Sequence, residues 1–173
     1  MDFEEVIKSR RTIRKFTDED VPDETVREII ETGMLAPSAG NTQSWEFIIV
    51  RDKATKHSLS QEALGQMHVF EAPVVIVVAA NIKLAEKRYG ARGRDAYCFL
   101  SAGAATMNML LTAVSLGLGA AWVGSFKERP VQEILKLPDY IRPVGIIPLG
   151  HPAEIPEKPS RRGYKEVVHN EKW

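Results

Sequence analysis

The stretch Asp95–Leu118 reads DAYCFLSAGAATMNMLLTAVSLGL and is apolar on almost every side of a helix. Its length would suffice to cross a membrane. The polar residues within it, among them Ser101, Thr106 and Asn108, and the mean hydropathy of −0.19 for the whole chain favour a buried core helix instead. Because a chain of this size has little interior in which to enclose such a helix, we predict that one face of it meets a second subunit.

The flanking sequence alternates between helical and strand patterns. Valine-rich 74–80 is predicted to be a central strand buried on both faces, and the polar, basic segment 83–94 fits no element and is predicted to be either an exposed loop or a substrate lid. Helices are predicted at about 2–9, 22–34, 55–64 and 130–137, and further strands at 47–50, 120–123 and 144–149. The pattern predicts an α+β fold, a central mixed sheet flanked by helices with the long buried helix at a homodimer interface.

Length and charge bound the possible functions. The 173 residues correspond to one domain, 1–173, and the 23 basic and 23 acidic residues cancel. Because no global field attracts the protein to nucleic acid or to an anionic membrane, we expect neither partner, and any anion site must be local. The single cysteine, Cys98, and the acidic start of the chain lead us to expect a reduced, cytoplasmic protein.

The last segment, 151–173, is polar and broken by three prolines, yet it ends with Tyr164, Val167, Val168 and Trp173. Such a segment cannot form a core by itself. We therefore expect a C-terminal arm that packs on the partner subunit.

The densest positive charge lies in Lys8–Phe16, which reads KSRRTIRKF. Arg10 follows Phe3 by seven residues and Val6 by four, so it continues the apolar stripe of the first helix and is predicted to point inward. A guanidinium in that position needs a buried anion such as phosphate. A solvated cationic face at a helix end explains the charge equally well, and a nucleic-acid patch explains it least. The pair Arg161-Arg162 is a candidate for the same anion site only if the tail folds back toward Arg10.

The residues that most other catalytic chemistries require are missing from the sequence. Gly117–Gly124 has the wrong glycine spacing for a dinucleotide fingerprint and leads from a helix into a strand, the reverse of the required order. The four histidines and one cysteine show no ligand spacing, so no metal site is expected. There is no G-x-S-x-G motif. A bound organic cofactor is therefore expected to carry the chemistry.

Five segments in this order resemble the nitroreductase family of FMN flavoproteins, and the resemblance spans nearly the whole chain. These are Ser9–Phe16, Ala36–Phe47 (APSAGNTQSWEF), Gly117–Gly124, Ile147–Pro152 and the run from Arg161 to Trp173. The resemblance implies a homodimer with FMN at the subunit interface. It also implies that NADH or NADPH delivers hydride to flavin N5, and that small electron-poor acceptors such as nitroaromatics or quinones then take the electrons in a ping-pong cycle.

The same resemblance assigns the cofactor-binding residues and no catalytic side chain. Arg10, Thr12 and Arg161 would hold the FMN phosphate, assisted by Arg11 or Arg162. Arg14 would reach the N1/O2 edge of the flavin, and Gln66 its pyrimidine edge. The backbone at Val123 and Gly124 would face N5. A loop of the other subunit would complete the site with Pro37, Ser38, Ala39, Asn41 and Gln43.

Two alternatives stay open. A related flavoprotein with the same fold could perform reductive dehalogenation or fragment its own flavin. A non-enzymatic dimer could use Arg10 and Arg161 to bind an anionic ligand or nucleic acid.

Overall fold

A computed structural model describes residues 1–173. The helices are α1 (Phe3–Ser9), α2 (Asp23–Met34), α3 (Lys53–Glu62), α4 (His68–Glu71), α5 (Ile82–Arg92), α6 (Cys98–Ser115), α7 (Glu128–Ile134) and α8 (Tyr164–Val167). The strands are β1 (Trp45–Val50), β2 (Val74–Asn81), β3 (Gly119–Ala120) and β4 (Ile141–Gly150). A 3-10 turn at Ala39–Asn41 and a π-helical turn at Gly93–Tyr97 complete the regular structure.

The four strands form one sheet in the order β1-β2-β4-β3. All three pairings are antiparallel, and the register between β2 and β4 shifts at Val78 and Ala79. The predicted α+β class is confirmed, but the sheet is antiparallel where a mixed sheet was predicted. Parallel pairing is confined to a single bridge between Thr12 and Ala120.

Strand β2 divides the core into two layers, because side chains alternate between the faces of a sheet. All eight of its residues are buried, as predicted. Ile76 and Val78 pack with α2 and α6 on one face, and Val75 and Val77 pack with α3, α4 and α7 on the other. Full burial of each such side chain contributes about 1.5–3 kcal/mol, so the sheet and its two helical layers hold the fold together.

Helix α6 buries eight of its 18 residues, some of them polar. Thr106 and Thr112 each donate to the carbonyl four residues earlier, at 2.8 and 3.0 Å. Asn108 donates to the Thr32 carbonyl of α2 at 3.1 Å. Since these polar groups find partners, their burial costs little.

By length and composition, the helical run Ile82–Ser115 could cross a membrane. However, Gly90, with φ of 56°, interrupts it, and α6 packs against α2 and the sheet. We therefore interpret α6 as a core helix, as predicted from the sequence.

The only thiol of the chain lies at the start of α6. Cys98 is fully buried and donates to the Arg94 carbonyl at 3.0 Å. Burial raises the pKa of this thiol, so the reactive thiolate is disfavoured.

Several predicted details are wrong. The apolar stripe of α1 does not point inward, because Phe3 is 74% exposed and only Val6 is buried. The strand expected at 120–123 is reduced to the two residues of β3 and a separate bridge between Val123 and Ile146. The segment 83–94 is not a loop; most of it forms α5.

Candidate functional site

The segment that follows α1 is extended and anchored to β3. The chain leaves the helix at Arg10, and the Ile13 N–H donates to the Ala120 carbonyl at 3.0 Å. Ile13 is buried against Gly119, where a Cβ would lie only 2.6 Å from the Ile13 Cγ1. Because successive side chains of an extended segment point to opposite sides, Thr12 and Arg14 lie opposite the buried Ile13.

The C-terminal tail folds back along the same segment. The Thr17 N–H donates to the His151 carbonyl and the Ala153 N–H to the Lys15 carbonyl, each at 2.9 Å. Lys15 also pairs with Glu154 at 2.7 Å. This pairing brings the end of the chain beside its beginning. The tail therefore folds back toward Arg10, as is required for Arg161 to share a site with it.

The two segments enclose a cavity of about 570 Å³, which we call the cationic cavity. Six of its lining side chains are cationic and one is acidic. The lining residues are Ile7, Lys8, Arg10, Arg11, Thr12, Arg14, Met107, Pro156, Glu157, Lys158, Pro159 and Arg161.

Several hydrogen-bond donors of the cationic cavity have no acceptor within the chain. One nitrogen of Arg11 donates to the carbonyls of Lys8, Ser9 and Arg10 at 2.8–3.0 Å and so caps the end of α1, while its buried Nε has no partner. The guanidinium groups of Arg10 and Arg14 donate to no acceptor within the chain. A buried donor without an acceptor is costly. The arrangement therefore fits a phosphate-bearing ligand, which supplies both acceptors and negative charge.

A second group of predicted residues meets near Gly124. The side-chain amide of Gln66 donates to the Ala63 carbonyl at 2.9 Å and to the Ser125 carbonyl at 3.2 Å. Val123 is buried and exchanges both backbone hydrogen bonds with Ile146, whereas the N–H of exposed Gly124 has no acceptor in the chain. The backbone at position 124 thus offers a free donor next to Gln66.

His68 lies beside this group and was not predicted from the sequence. It is 8% exposed, and its Nε2 is buried without a hydrogen-bond partner. Burial lowers the pKa of His68, the positive charge of Arg14 lowers it further, and Glu71 acts in the opposite direction. The neutral imidazole is therefore favoured next to a cationic side chain.

The third group lies away from the cationic cavity in the same chain. Pro37, Ser38 and Ala39 line a surface pocket of about 300 Å³ together with Tyr97 and residues of α6. Asn41 and Gln43 are exposed. Ser38 accepts from the Gln43 N–H at 2.9 Å, which closes the loop on itself. One chain therefore does not bring these five residues to its own cationic cavity.

Two further predictions need correction. Arg10 does not enter the core; it is half-buried and faces the cationic cavity, because α1 ends one residue before it. Arg162 does not line the cavity and instead donates to the Glu166 carbonyl at 2.6 Å. Lys158 and Met107 do line it, although only a tertiary contact could reveal them.

The family follows from comparison with known proteins. The model of the Nitroreductase family matches residues 7–71 and 62–151. The chain belongs to this family. It is 34% identical to the FMN reductase [NAD(P)H] of Bacillus subtilis over 98% of this chain and 74% of the relative. It is 32% identical to the NADH dehydrogenase of Thermus thermophilus over 89% and 88%.

Solved structures of the nitroreductase family show the same fold. The NADPH:FMN oxidoreductase of Vibrio harveyi, complexed with NAD+, superposes with a TM-score of 0.91 at 28% identity and is covered to 77% of its length by 98% of this chain. A nitroreductase-family protein of Streptococcus pneumoniae gives 0.90 at 28% identity, and 98% of this chain covers 100% of it. The nitroreductase-like fold expected from the sequence is confirmed.

Proposed function

We propose that this protein is an NAD(P)H-dependent FMN oxidoreductase that reduces small electron-poor acceptors such as nitroaromatics or quinones. The observation that carries the proposal is the cationic cavity, which is lined by six cationic side chains and one carboxylate. Without a bound anion, the mutual repulsion of these charges is unfavourable. A phosphate monoester neutralises them, and relatives in the nitroreductase family are named for FMN and NAD(P)H.

Each group of residues contributes a different contact in this proposal. Arg10, Thr12 and Arg161 bind the phosphate, with the orphaned Nε of Arg11 as a further donor. Arg14, next to Thr12, holds positive charge at the N1/O2 edge, where it stabilises negative charge that develops on reduction. Gln66 orients the pyrimidine edge.

When bound, FMN supplies the redox chemistry by accepting hydride from NAD(P)H at N5 and passing the electrons to the acceptor. The chain contributes position and electrostatics. The free N–H of Gly124 would donate to N5 of a bound flavin, and buried Val123 fixes that backbone through its two hydrogen bonds with Ile146. No side chain is assigned as a general acid or base.

The working unit in this proposal is a homodimer, in which the partner subunit supplies Pro37, Ser38, Ala39, Asn41 and Gln43. Apolar side chains that one chain leaves exposed support this assembly, among them Phe3 (74%), Leu35 (81%), Leu100 (67%) and Trp173 (101%). Exposed apolar surface of this kind marks association sites. The arm 151–173 would pack on the partner, and a protein with one buried thiol suits the cytoplasm.

The decisive test compares FMN with riboflavin, which lacks the phosphate. The purified protein is titrated with each flavin, and binding is followed by flavin fluorescence. Because several charge-assisted hydrogen bonds go to the phosphate, we expect riboflavin to bind at least about 100-fold more weakly. Equal affinities would remove the role of the cationic cavity.

Turnover separates the competing chemistries. The FMN-loaded protein should be reduced by NADH or NADPH without oxygen and reoxidised by a nitroaromatic or a quinone. Faster turnover of a halophenol would favour a dehalogenase, and loss of the flavin itself a flavin-fragmenting enzyme. Failure to bind FMN, together with a gel shift of an oligonucleotide, would favour the non-enzymatic alternative.

A further inference from the structure

The loop 38–43 is held in a backbone conformation that its sequence does not favour. Three of its residues have positive φ, namely Gly40 (53°), Asn41 (56°) and Gln43 (47°). Glycine and asparagine tolerate this region, but glutamine rarely adopts it. Such conformations persist where the surrounding structure enforces them, so other residues must hold this loop in place.

Helix α5 supplies the contact. The Nη1 of Arg88 donates to the Gly40 carbonyl, 48 residues earlier in the chain. A Cβ at Gly40 would lie 2.6 Å from the Arg88 Cζ and would also overlap the Tyr89 hydroxyl. The backbone at Gly40 is therefore pressed against two side chains of α5, and a larger residue at position 40 would require these side chains to move.

Helix α5 is itself fixed to the start of α6. The ring of Tyr89 packs edge-on against that of Tyr97, with 5.2 Å between centroids, and the Arg92 guanidinium lies 5.3 Å from the Tyr97 centroid. Arg94 pairs with Glu86 at 3.0 Å across the π-helical turn. Tyr97 also lines the pocket that contains Ser38. A continuous set of contacts thus joins the core helix to the loop.

We propose that Arg88 and Tyr89 form a clamp that holds the loop 38–43 in the conformation in which Ser38 and Asn41 meet the flavin. These two are positioning residues, since they act through the loop. The assignment of the flavin as the ligand rests on the proposed function, whereas the clamp on the loop does not. In this proposal the segment 83–94 is a fixed support for the loop and not a lid that opens in each turnover.

The first test is hydrogen exchange at the backbone amides of Asn41, Thr42 and Gln43 in the flavin-free protein. All three donate within the loop. Arg88→Met removes the guanidinium donor but keeps the length of the side chain. Because the lost hydrogen bond has a charged donor, we expect exchange at these amides to become about tenfold faster. Arg88→Lys, which can still donate, should restore part of the protection.

Lys87→Met is the matched control, because Lys87 is an exposed cation on the same helix with no hydrogen bond or ion pair. It should exchange like the parent protein. Arg88 is also exposed, so neither substitution should lower the melting temperature. If Arg88→Met exchanges as slowly as Lys87→Met, the clamp is overturned.

The second readout is FMN affinity measured by fluorescence. We expect Arg88→Met to bind FMN about tenfold more weakly than Lys87→Met, since a mobile loop must be ordered on binding. Faster exchange with unchanged FMN affinity would overturn the positioning role. If the parent protein binds no FMN but the exchange result holds, the clamp stands and the proposed function fails.

A double-mutant cycle tests the close packing at Gly40. Gly40→Ala places a methyl group where the Arg88 guanidinium lies, and Arg88→Met vacates part of that space. We expect the combined loss of FMN affinity to be smaller than the product of the two separate losses. Independent effects would show that the contact does not exist in solution.

Discussion

The cationic cavity and the loop 37–43 carry different parts of the candidate site, and the chain completes them differently. The cationic cavity is assembled within one chain, where Ile13 is anchored to β3 and the tail pairs with residues 15–17. The loop is bound to α5 through the hydrogen bond from Arg88, and its candidate cofactor-binding residues Asn41 and Gln43 are exposed. Under the proposed function, one chain binds the phosphate group, and the loop of a second copy completes the enclosure of the flavin.

The largest expected effect comes from the cationic cavity. In Arg10→Ala/Arg161→Ala, we expect the dissociation constant for FMN, measured by fluorescence, to rise at least about 100-fold, because each charge-assisted hydrogen bond contributes about 1.5–3 kcal/mol. Arg27→Ala/Arg129→Ala removes the same charge from other exposed positions and should leave the affinity unchanged. Since six cations face one carboxylate, the flavin-free double variant should melt no lower than the parent. An unchanged affinity for FMN would contradict this prediction.

A smaller effect is expected when the dependence on the second copy is tested. Deletion of residues 163–173 keeps Arg161 but removes the exposed side chains of Tyr164, Val167 and Trp173. We expect the dimer, followed by analytical ultracentrifugation, to dissociate at least about tenfold more readily, since burial of one large apolar side chain contributes about 1.5–3 kcal/mol. Riboflavin, whose binding relies on the enclosed ring, should lose more affinity than FMN. A dimer as tight as the parent would remove the proposed role of the arm.

The smallest effect concerns His68, whose pKa responds to Arg14 of the cationic cavity. Burial and Arg14 lower its pKa in the folded state, so the unfolded state binds more protons. Stability is therefore full above the unfolded pKa and falls as pH drops below about 6.5. In His68→Gln, the loss of stability between pH 7.5 and pH 5.5, measured by urea denaturation, should be smaller than in the parent. Equal losses would show that His68 does not contribute.

The sequence predicted the elements whose patterns are local. The unbroken apolar run of β2 and the long apolar pattern of α6 were identified correctly, because a strand that is apolar on both faces and a helix that is apolar on almost every side leave a clear signal. Helix α5 was missed, since its basic residues gave no apolar stripe and Gly90 interrupts it. Lysine and arginine are nevertheless good helix formers, and Asn81, which caps α5 by accepting from the Leu84 N–H, was an available signal.

The site was only partly accessible from the sequence. The resemblance assigned Arg10 and Arg161 to one phosphate, but only the pairing of residues 15–17 with 151–153 explains how positions 151 residues apart share a cavity. The spacing of residues along the sequence could not reveal Lys158, which the same backbone pairing brings to the cavity. It also misplaced the apolar stripe of α1, because Phe3 follows a helical pattern that one chain leaves exposed.

The buried position of Cys98 has a practical consequence for testing the proposed dimer. Its inaccessible, protonated thiol should leave the native protein unreactive toward maleimides. Arg27→Cys, at an exposed position apart from the residues assigned to the interface and the site, can then carry a spin label without any background substitution. Pulsed electron resonance between two such labels would report the distance between copies of α2 directly, with FMN present or absent.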